Sequence, residues 1–439
     1  MLNHSQKLLM RALSACRDAE IAEEVYTEVN LAQPDRRNFQ SGLGLRVNVE
    51  GRLGFMWSEG QYQDAELISL AVREANSGQR GSFSQKGLSA PSPSGPTSAA
   101  NRQLEHSLTQ LQAFIQGLDF LLPSLLPERK FSLSARLLQH TLKLTTRNGE
   151  RWASRVLHLV TLTSTQGLPV SGSLYSTSAP SDPSALLCQL AWRSAHSQEI
   201  AWPEDELLPA VFTAEAAGKL LEDFALDSLT LGSPLNLQIP KDEAWLHPTL
   251  TLSDDHQLVG GFGSVPFDGE GLTRQPVTLL KEGRLLNSLA DIATAREYQT
   301  PPLGLAVRPW GQAPRPGYSN LRLAPGSQAL SELCQMVDYG VLLDRLTPLP
   351  PSWNRPGYFC RRAETAFLLQ KGRPVCRLPQ FIVSAPYQSL LGEELLGLGY
   401  ETRLCGRTLC PPLAVKRLAL EEADLEPSET WSDYPNLWW

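Results

Sequence analysis

The second half of this chain is so often interrupted by glycine and proline that only short strands fit between the interruptions. The 439 residues include 32 glycines and 33 prolines. After Trp202-Pro203 one helical pattern, Thr213–Leu226, is predicted, with Thr213 as its N-cap. Short apolar runs bounded by turn residues indicate a mainly antiparallel β sandwich or barrel. Its predicted strands are Thr249–Leu252, Val277–Leu280, Leu285–Leu289, Leu321–Leu323, Thr365–Leu369 and Phe381–Ser384.

The first half mixes helical and strand patterns without a regular alternation, which is typical of an α+β domain. Glu50-Gly51 supplies a tight turn between two strand-like runs, so a β-hairpin is predicted there. The predicted strands are Gly42–Val49, Arg52–Trp57, Phe131–Thr146, Trp152–Thr165 and Leu168–Ser176. The predicted helices cover residues 5–24, Asp64–Asn76, Leu104–Leu121 and Asp182–Ala195.

These patterns divide the chain into three parts. Residues 1–205 are predicted to form the N-terminal α+β domain, and residues 206–420 the C-terminal β-rich domain. Within the first domain, residues 80–103 are rich in Ser, Gly and Pro and are predicted to be a flexible loop. Residues 421–439 form an acidic and then aromatic tail.

Charge and cysteine content argue against several classes of protein. The net charge is −7, whereas surfaces for nucleic acids or anionic membranes need clustered Lys and Arg. Seven widely spaced cysteines do not describe a disulfide framework, and reduced thiols fit a cytosolic protein. Residues 1–25 lack the apolar core of a signal peptide, and no run approaches ~18 apolar residues. We therefore expect a cytoplasmic protein with no membrane contact.

Four segments in this order resemble one protein family. They are Gly42–Phe55, Gly263–Glu297, Ser319–Ser327 and Ala366–Ala385. Each combines turns and strands that are common in β-rich proteins, but their order and spacing over nearly the whole chain are more specific. The chain resembles the TldD/PmbA family, described as metallopeptidases and as modulators of DNA gyrase. The resemblance implies pairing of two unlike subunits, of which only the TldD-like one carries zinc, on a His-Glu-x-x-x-His helix with a distant cysteine.

The resemblance also implies where zinc ligands would fall in this chain. The family's His-Glu aligns with Glu222-Asp223, and its second histidine aligns with Asp227. Peptidase zinc is held by at least two imidazoles, and residues five apart on a helix diverge by ~140°. We therefore expect no metal or other cofactor in this chain, and interpret the three carboxylates as the acidic side of an amphipathic helix. Zinc is expected in the partner.

Several other residues remain candidates for a site. Cys405 aligns with the family's cysteine ligand and is a relic ligand, a reactive thiol near Arg403 and Arg407, or, as we favour, an inert buried residue. His140 and His158 lie on neighbouring predicted strands, and packing with satisfied partners is preferred over a ligand pair. The aromatic candidates for partner or peptide binding are Trp310, Tyr318, Trp431, Tyr434, Trp438 and Trp439.

The leading hypothesis is a PmbA-like (TldE-like), non-catalytic subunit of a cytosolic metallopeptidase complex that degrades or processes unfolded peptides. In that case activity depends on a TldD-like, zinc-bearing partner. One alternative is a peptide-binding or regulatory protein without enzymatic activity. A second alternative is an autonomous enzyme that uses Cys405.

Overall fold

The computed structural model describes residues 3–32, 36–60, 62–83, 96–165, 170–177, 179–180, 182–196, 202, 205–240 and 243–422. The elements up to residue 195 are α1 (His4–Leu13), β1 (Asp18–Asn30), β2 (Arg37–Val49), β3 (Arg52–Glu59), α2 (Asp64–Ser77), α3 (Pro96–Leu125), β4 (Phe131–Thr146), β5 (Gly149–Ser164), β6 (Ser171–Ser176) and α4 (Ser184–Ala195). In the described residues these six strands form one antiparallel sheet in the order β3-β2-β1-β4-β5-β6.

Most of the predicted elements in this half are confirmed. The hairpin β2–β3 pairs Val49 with Arg52, and the turn residues Glu50 and Gly51 both have positive φ, 49° and 83°. Glycine tolerates that conformation without steric cost, as the sequence indicates. Strand β4 has the predicted bounds. Helix α3 begins at Pro96, inside the segment predicted as a loop, because proline suits the first turn of a helix; residues 84–95 lie outside the described residues.

The prediction of one helix over residues 5–24 is wrong. Helix α1 ends at Leu13, and β1 occupies Asp18–Asn30. The apolar residues of β1 fit a helical stripe, but its Val and Thr residues favour strand. Two neighbours then decide the outcome, because β2 and β4 pair with β1 on either side. Tertiary pairing therefore overrides the local helical pattern.

The second part of the chain is built from short strands around one long helix. Its elements are β7 (Leu207–Phe212), α5 (Ala214–Ser228), β8 (Leu252–Asp254), β9 (Val277–Lys281), β10 (Arg284–Leu285), α6 (Ile292–Glu297), β11 (Ala306–Val307), β12 (Arg315–Pro316), β13 (Leu321–Leu323), α7 (Leu330–Val337), β14 (Gly340–Thr347), β15 (Tyr358–Gln370), β16 (Arg373–Arg377), β17 (Phe381–Pro386), α8 (Tyr387–Leu390), β18 (Leu395–Leu398), β19 (Arg403–Cys405), β20 (Thr408–Cys410) and β21 (Leu413–Glu421). None of the described helices has the length and apolarity needed to cross a bilayer.

A closed β-barrel forms the centre of this second part. In the described residues its ring runs β14-β7-β21-β17-β15 and returns to β14. Only the β7–β14 contact in the ring is parallel. The largest hydrophobic cluster joins the barrel strands to the buried face of α5, including Leu220, Leu221 and Phe224. The predicted α+β class is confirmed, and the sandwich-or-barrel alternative is resolved as a barrel.

The N-terminal sheet packs between its own helices and the second part. Helices α1 to α4 cover one face through apolar clusters with β1, β2, β4 and β5. The opposite face contacts the loop after β8, where Phe262, Val265 and Phe267 are buried against sheet residues. Because β1 alternates between the faces, Glu20 and Glu24 point into this second interface, opposite Ile21.

Buried ion pairs cross the interface between the sheet and the second part. Arg308, 1% exposed, donates from Nη2 to Glu20 and from Nε to the carbonyl of Gly269, 2.9 Å away. Arg46 Nη1 lies 2.5 Å from Glu270 Oε1. A buried charge that loses its partner is strongly destabilising. The interface therefore depends on specific pairs as well as on apolar area.

Glu24 couples this interface to pH. Its Oε2 lies 3.0 Å from His140 Nε2, and burial raises the pKa of Glu24 to about 8. Between the ordinary value of 4.5 and about 8, the folded chain keeps a proton that the unfolded chain has lost. The free energy of unfolding therefore falls as pH rises through that window. Burial also lowers the pKa of His140 well below 6.5. Below pH 6.5 the unfolded chain therefore binds a proton that the folded chain lacks, so this group makes the free energy of unfolding rise with pH.

Replacing Glu24 by Gln is expected to remove the decrease in the free energy of unfolding that its raised pKa produces between pH 4.5 and about 8. The stability of Glu24→Gln relative to the unmodified chain should increase with pH by up to about 1.4 kcal/mol per unit between pH ~4.5 and ~8. Urea unfolding at about pH 5, 6.5 and 8 measures the difference. A stability difference that is the same at all three pH values would show that Glu24 ionises equally in the folded and unfolded states.

Candidate functional site

Helix α5 positions the three carboxylates singled out in the sequence. Thr213 caps it as predicted, since its side chain accepts from the amide of Ala216. The apolar side of α5 packs in the barrel cluster, which fixes the rotation of the helix about its axis. The polar side then presents Glu222, Asp223 and Asp227 to three different neighbours.

Each of these carboxylates is engaged by the chain itself. Glu222 accepts from Thr408 Oγ1 at 3.0 Å and pairs with Lys219 Nζ at 3.1 Å. Asp223 accepts hydrogen bonds from Nε and Nη2 of Arg361, with N···O distances of 2.7 and 2.5 Å.

Asp227, one turn further along α5, accepts from the amide of Gly357 at 2.7 Å, and burial raises its pKa. The three carboxylates thus face β20, β15 and the loop before β15. Across the described residues, no group of three or more His, Cys, Asp or Glu side chains is arranged to hold a metal.

Cys405 ends strand β19, in a hairpin with β20 whose turn contains Gly406 at φ 66°. Burial raises the pKa of its thiol to about 12, the charge of Glu215 adds to the rise, and Arg403 and Lys219 oppose it. Arg407 turns away and donates to the carbonyls of Tyr318 and Ser319. Cys405 is therefore a neutral thiol near pH 7, whereas a reactive cysteine needs the thiolate.

Cys405 lines a cavity of about 280 Å³ where the two parts of the chain meet, here named the Cys405 cavity. Its polar and charged lining residues are Ser173, Tyr175, Ser176, Glu215, Lys219, Arg345 and Arg403. Its apolar lining residues are Leu174, Leu186, Phe262, Leu346 and Leu404. An apolar wall with a few convergent polar groups is the usual composition of a binding site.

The sequence analysis missed most of these lining residues. Arg345 and Lys219 are distant from Arg403 in the chain, and only the folding of β14, α5 and β19 around one space brings them together. A signal was present at Arg345, because Asp344-Arg345 interrupts an apolar strand. Charged residues are rarely buried without partners, so this pair marks a strand that faces other polar groups.

A second cavity is lined by residues nearer the C-terminal end of α5. It has a volume of about 490 Å³ and includes Asp223, Asp227, Arg355, Arg361, Tyr358 and Tyr387 in its lining. The ion pair between Asp223 and Arg361 forms part of its wall. Successive stretches of α5 therefore line the two cavities, with Glu215 and Lys219 at the Cys405 cavity and Asp223 and Asp227 at the second.

The structure places the other candidate residues as follows. Trp310 packs edge-on against Trp57, with ring centres 5.0 Å apart, and donates from Nε1 to Glu59 at 2.9 Å. Tyr318 is buried beneath the guanidinium of Arg407, 5.0 Å from its ring centre. Contact of Trp310 or Tyr318 with a peptide or partner stays a prediction. The remaining aromatic candidates, Trp431, Tyr434, Trp438 and Trp439, lie outside the described residues.

The two strand histidines have separate partners. His140 lies against Glu24, and His158 Nδ1 lies 3.2 Å from the carbonyl oxygen of Ser176. Burial lowers the pKa of both imidazoles. Both rings are therefore packed, neutral groups near pH 7 with different neighbours, and His158 Nε2 has no hydrogen-bond partner among the described residues.

Comparison with known proteins identifies relatives of both sequence and fold. Residues 205–422 match the family of the PmbA/TldA metallopeptidase C-terminal domain. A protein described as a metalloprotease, from Methanothermobacter thermautotrophicus, is 31% identical over 139 residues. That match covers 32% of this chain and only 30% of the relative.

Two solved structures share the fold over nearly the full chain. TldE from Thermococcus kodakarensis superposes with a TM-score of 0.71 at 16% identity, covering 95% of this chain and 100% of that one. A candidate modulator of DNA gyrase from Thermotoga maritima superposes with a TM-score of 0.68 at 17% identity, again covering 95% and 100%. At these identities the likeness establishes the fold alone.

Proposed function

Since this chain belongs to the TldD/PmbA family through residues 205–422, we propose that it is a non-catalytic, TldE-like subunit of a cytoplasmic metallopeptidase complex. The observation that carries the proposal is the state of the helix α5 carboxylates. Glu222, Asp223 and Asp227 occupy the positions at which the family resemblance expects zinc ligands, and each is held by another group of this chain. Zinc and the group that activates water then belong to a TldD-like partner.

The structure also supports a role in holding peptide. Strand β6 is the last strand of its sheet and pairs only with β5 among the described residues. Its residues Ser173–Ser176 line the Cys405 cavity. An extended peptide can add to such an edge through backbone hydrogen bonds, which place little demand on peptide sequence. Unfolded peptides are therefore the proposed substrates.

Cys405 gives no support to the alternative of an autonomous cysteine enzyme. With a pKa of about 12, its thiolate is a very small fraction of the population at neutral pH. Cysteine enzymes lower that pKa with a neighbouring histidine, a metal or a helix N-terminus. In this cavity burial and Glu215 act in the opposite direction.

Metal content and complex formation test the proposed assignment. Co-expressed with a TldD-like protein from the same organism, the chain should co-purify as a stable complex that carries zinc. Elemental analysis should find about one zinc per TldD-like subunit and none in stoichiometric amount in the chain purified alone, because peptidase zinc is held by at least two imidazoles and helix α5 offers carboxylates instead. The matched control is the complex with both partner histidines of the His-Glu-x-x-x-His motif replaced by Ala, which should assemble without zinc. About one zinc retained per isolated chain would overturn the assignment.

A further inference from the structure

The wall of the Cys405 cavity combines apolar side chains with three cations and one carboxylate. Lys219, Arg345 and Arg403 line it, against the single carboxylate of Glu215. Burial would raise the pKa of Glu215, but Arg193, Arg345 and Arg403 together hold it below its ordinary value. Glu215 is therefore ionised near pH 7. Lys219 and Arg345 also form ion pairs with other carboxylates, whereas Arg403 forms none with the described residues. A ligand with one anionic group and one apolar group matches this lining.

Within the described part of the chain, Arg403 uses little of its hydrogen-bonding capacity. Its Nη2 donates to Gln189 Oε1 at 3.3 Å, and no carboxylate of the described residues forms an ion pair with it. Glu215 is already engaged by Gln189 at 2.9 Å and by Arg193 at 3.2 Å. A guanidinium offers five N–H donors and binds a carboxylate through two parallel hydrogen bonds. Arg403 is thus the group of this wall best suited to receive an anion.

The two other cations are fixed near Arg403 by contacts of their own. Lys219 pairs with Glu222 at 3.1 Å. Arg345 donates to Ser171 Oγ at 2.6 Å and pairs with Glu364 at 3.2 Å. These carboxylates balance much of their charge, so Arg403 carries most of the positive charge available to a ligand. The thiol of Cys405, being neutral, adds no repulsion toward an anion.

We propose that the Cys405 cavity binds the C-terminal carboxylate of a peptide that ends in an apolar residue, with the carboxylate on Arg403. The inference rests on the proposed function only in that the ligand is a peptide. No second strand of the described residues pairs with β6, so the last residues of a peptide can extend along its other edge, and Leu174 on that strand belongs to the apolar wall. The volume of about 280 Å³ is below that of pockets for drug-sized ligands, so it suits the terminal one or two residues of a chain.

The test compares one peptide with and without its terminal charge. Acetyl-Ala-Ala-Ala-Leu with a free carboxylate, and the same peptide as its C-terminal amide, are titrated calorimetrically into the purified full chain at low salt. The free acid should bind about tenfold or more tightly than the amide, because charge-assisted bonds to Arg are lost with the charge. Raising the salt concentration should reduce the difference. Equal affinities, or no binding of either peptide, would overturn the inference.

Matched variants locate the charge recognition. Arg403→Gln should remove the preference for the free acid, while Arg322→Gln, a change at an exposed arginine of β13 paired at 3.5 Å with Asp255, should leave it intact. Circular dichroism melting verifies that both variants are folded. If Arg403→Gln does not fold, Lys219→Gln, at a side chain that is 30% exposed, should reduce the preference two- to threefold. A preference that survives in the folded Arg403→Gln variant, or that is undiminished in Lys219→Gln, excludes this site.

This binding measurement needs no zinc-bearing partner, so it separates the two proposals. Complex formation with equal affinity for acid and amide would leave the subunit assignment standing and reject the carboxylate site. A preference for the free acid in a chain that forms no complex would support the carboxylate site and reject the subunit assignment.

Discussion

A mixture of this chain with a zinc-bearing TldD-like subunit is expected to hydrolyse an unstructured peptide on the order of 10²–10⁴ times faster than this chain alone. In the proposed complex the partner's zinc would polarise the peptide carbonyl and activate water, and the glutamate of the partner's motif would accept the proton. In this chain Thr408, Arg361 and Gly357 already bind Glu222, Asp223 and Asp227, so under the proposed assignment these carboxylates take no part in those steps. Cleavage of a quenched fluorescent peptide, with and without a chelator, measures the effect.

The control compares substitutions in this chain with a substitution in the partner's zinc motif. Glu222→Gln, Asp227→Asn and Cys405→Ala in this chain should each leave the rate of the mixture within about twofold. Replacing the partner's motif glutamate should lower the rate on the order of 10²–10⁴-fold. If one of the three changes in this chain abolishes cleavage while the complex still forms, that residue takes part in catalysis and the non-catalytic assignment is wrong.

Arg308→Ala is expected to destabilise the folded chain by about 3–5 kcal/mol. The substitution leaves the carboxylate of Glu20 buried without its cation and removes the bond to the carbonyl of Gly269. Because the pair joins β1 to the second part of the chain, the loss should appear in the transition that separates the two parts. Urea unfolding followed by circular dichroism measures the change in free energy.

Two comparisons distinguish the buried pair from a general effect of removing arginine. Arg322→Ala, at a side chain that is 53% exposed in its pair with Asp255, should cost no more than about 1 kcal/mol. The double variant Glu20→Gln/Arg308→Met should be more stable than Arg308→Ala alone, since it leaves no unpaired charge in the interface. An Arg308→Ala variant as stable as Arg322→Ala would contradict the importance of the pair.

The elements that the sequence predicts correctly are those specified by neighbouring residues. The Glu50-Gly51 hairpin, strand Phe131–Thr146 and the cap at Thr213 each depend on residues within a few positions. Turn chemistry and capping are local, so pattern analysis detects them. The prediction of one helix over residues 5–24 is wrong because strand β1 is determined by its pairing with β2 and β4 rather than by neighbouring residues.

The candidate site was only partly predictable for the same reason. The carboxylates of α5 and Cys405 could be located by family resemblance, but their partners could not. Glu20 and Arg308 are 288 residues apart in the sequence, and Cys405 meets Arg345 only through the arrangement of three separate elements. A local sequence pattern cannot identify contacts between residues so far apart in the chain. An isolated charged residue in an apolar strand does indicate that a partner exists.

Closure of the barrel also determines the order in which the two parts of the chain can fold during synthesis. Strand β7 begins at Leu207, but one of its two neighbours is β21, which ends at Glu421. At ~5–20 residues per second, a ribosome needs roughly 10–40 s to make the intervening chain. Throughout that interval β7 and the apolar face of α5 lack part of their final cover, while the N-terminal sheet already has all of its strands. Newly made chains therefore pass through a stage in which the first part is assembled and the barrel is open, and this stage is when a chaperone has most to protect.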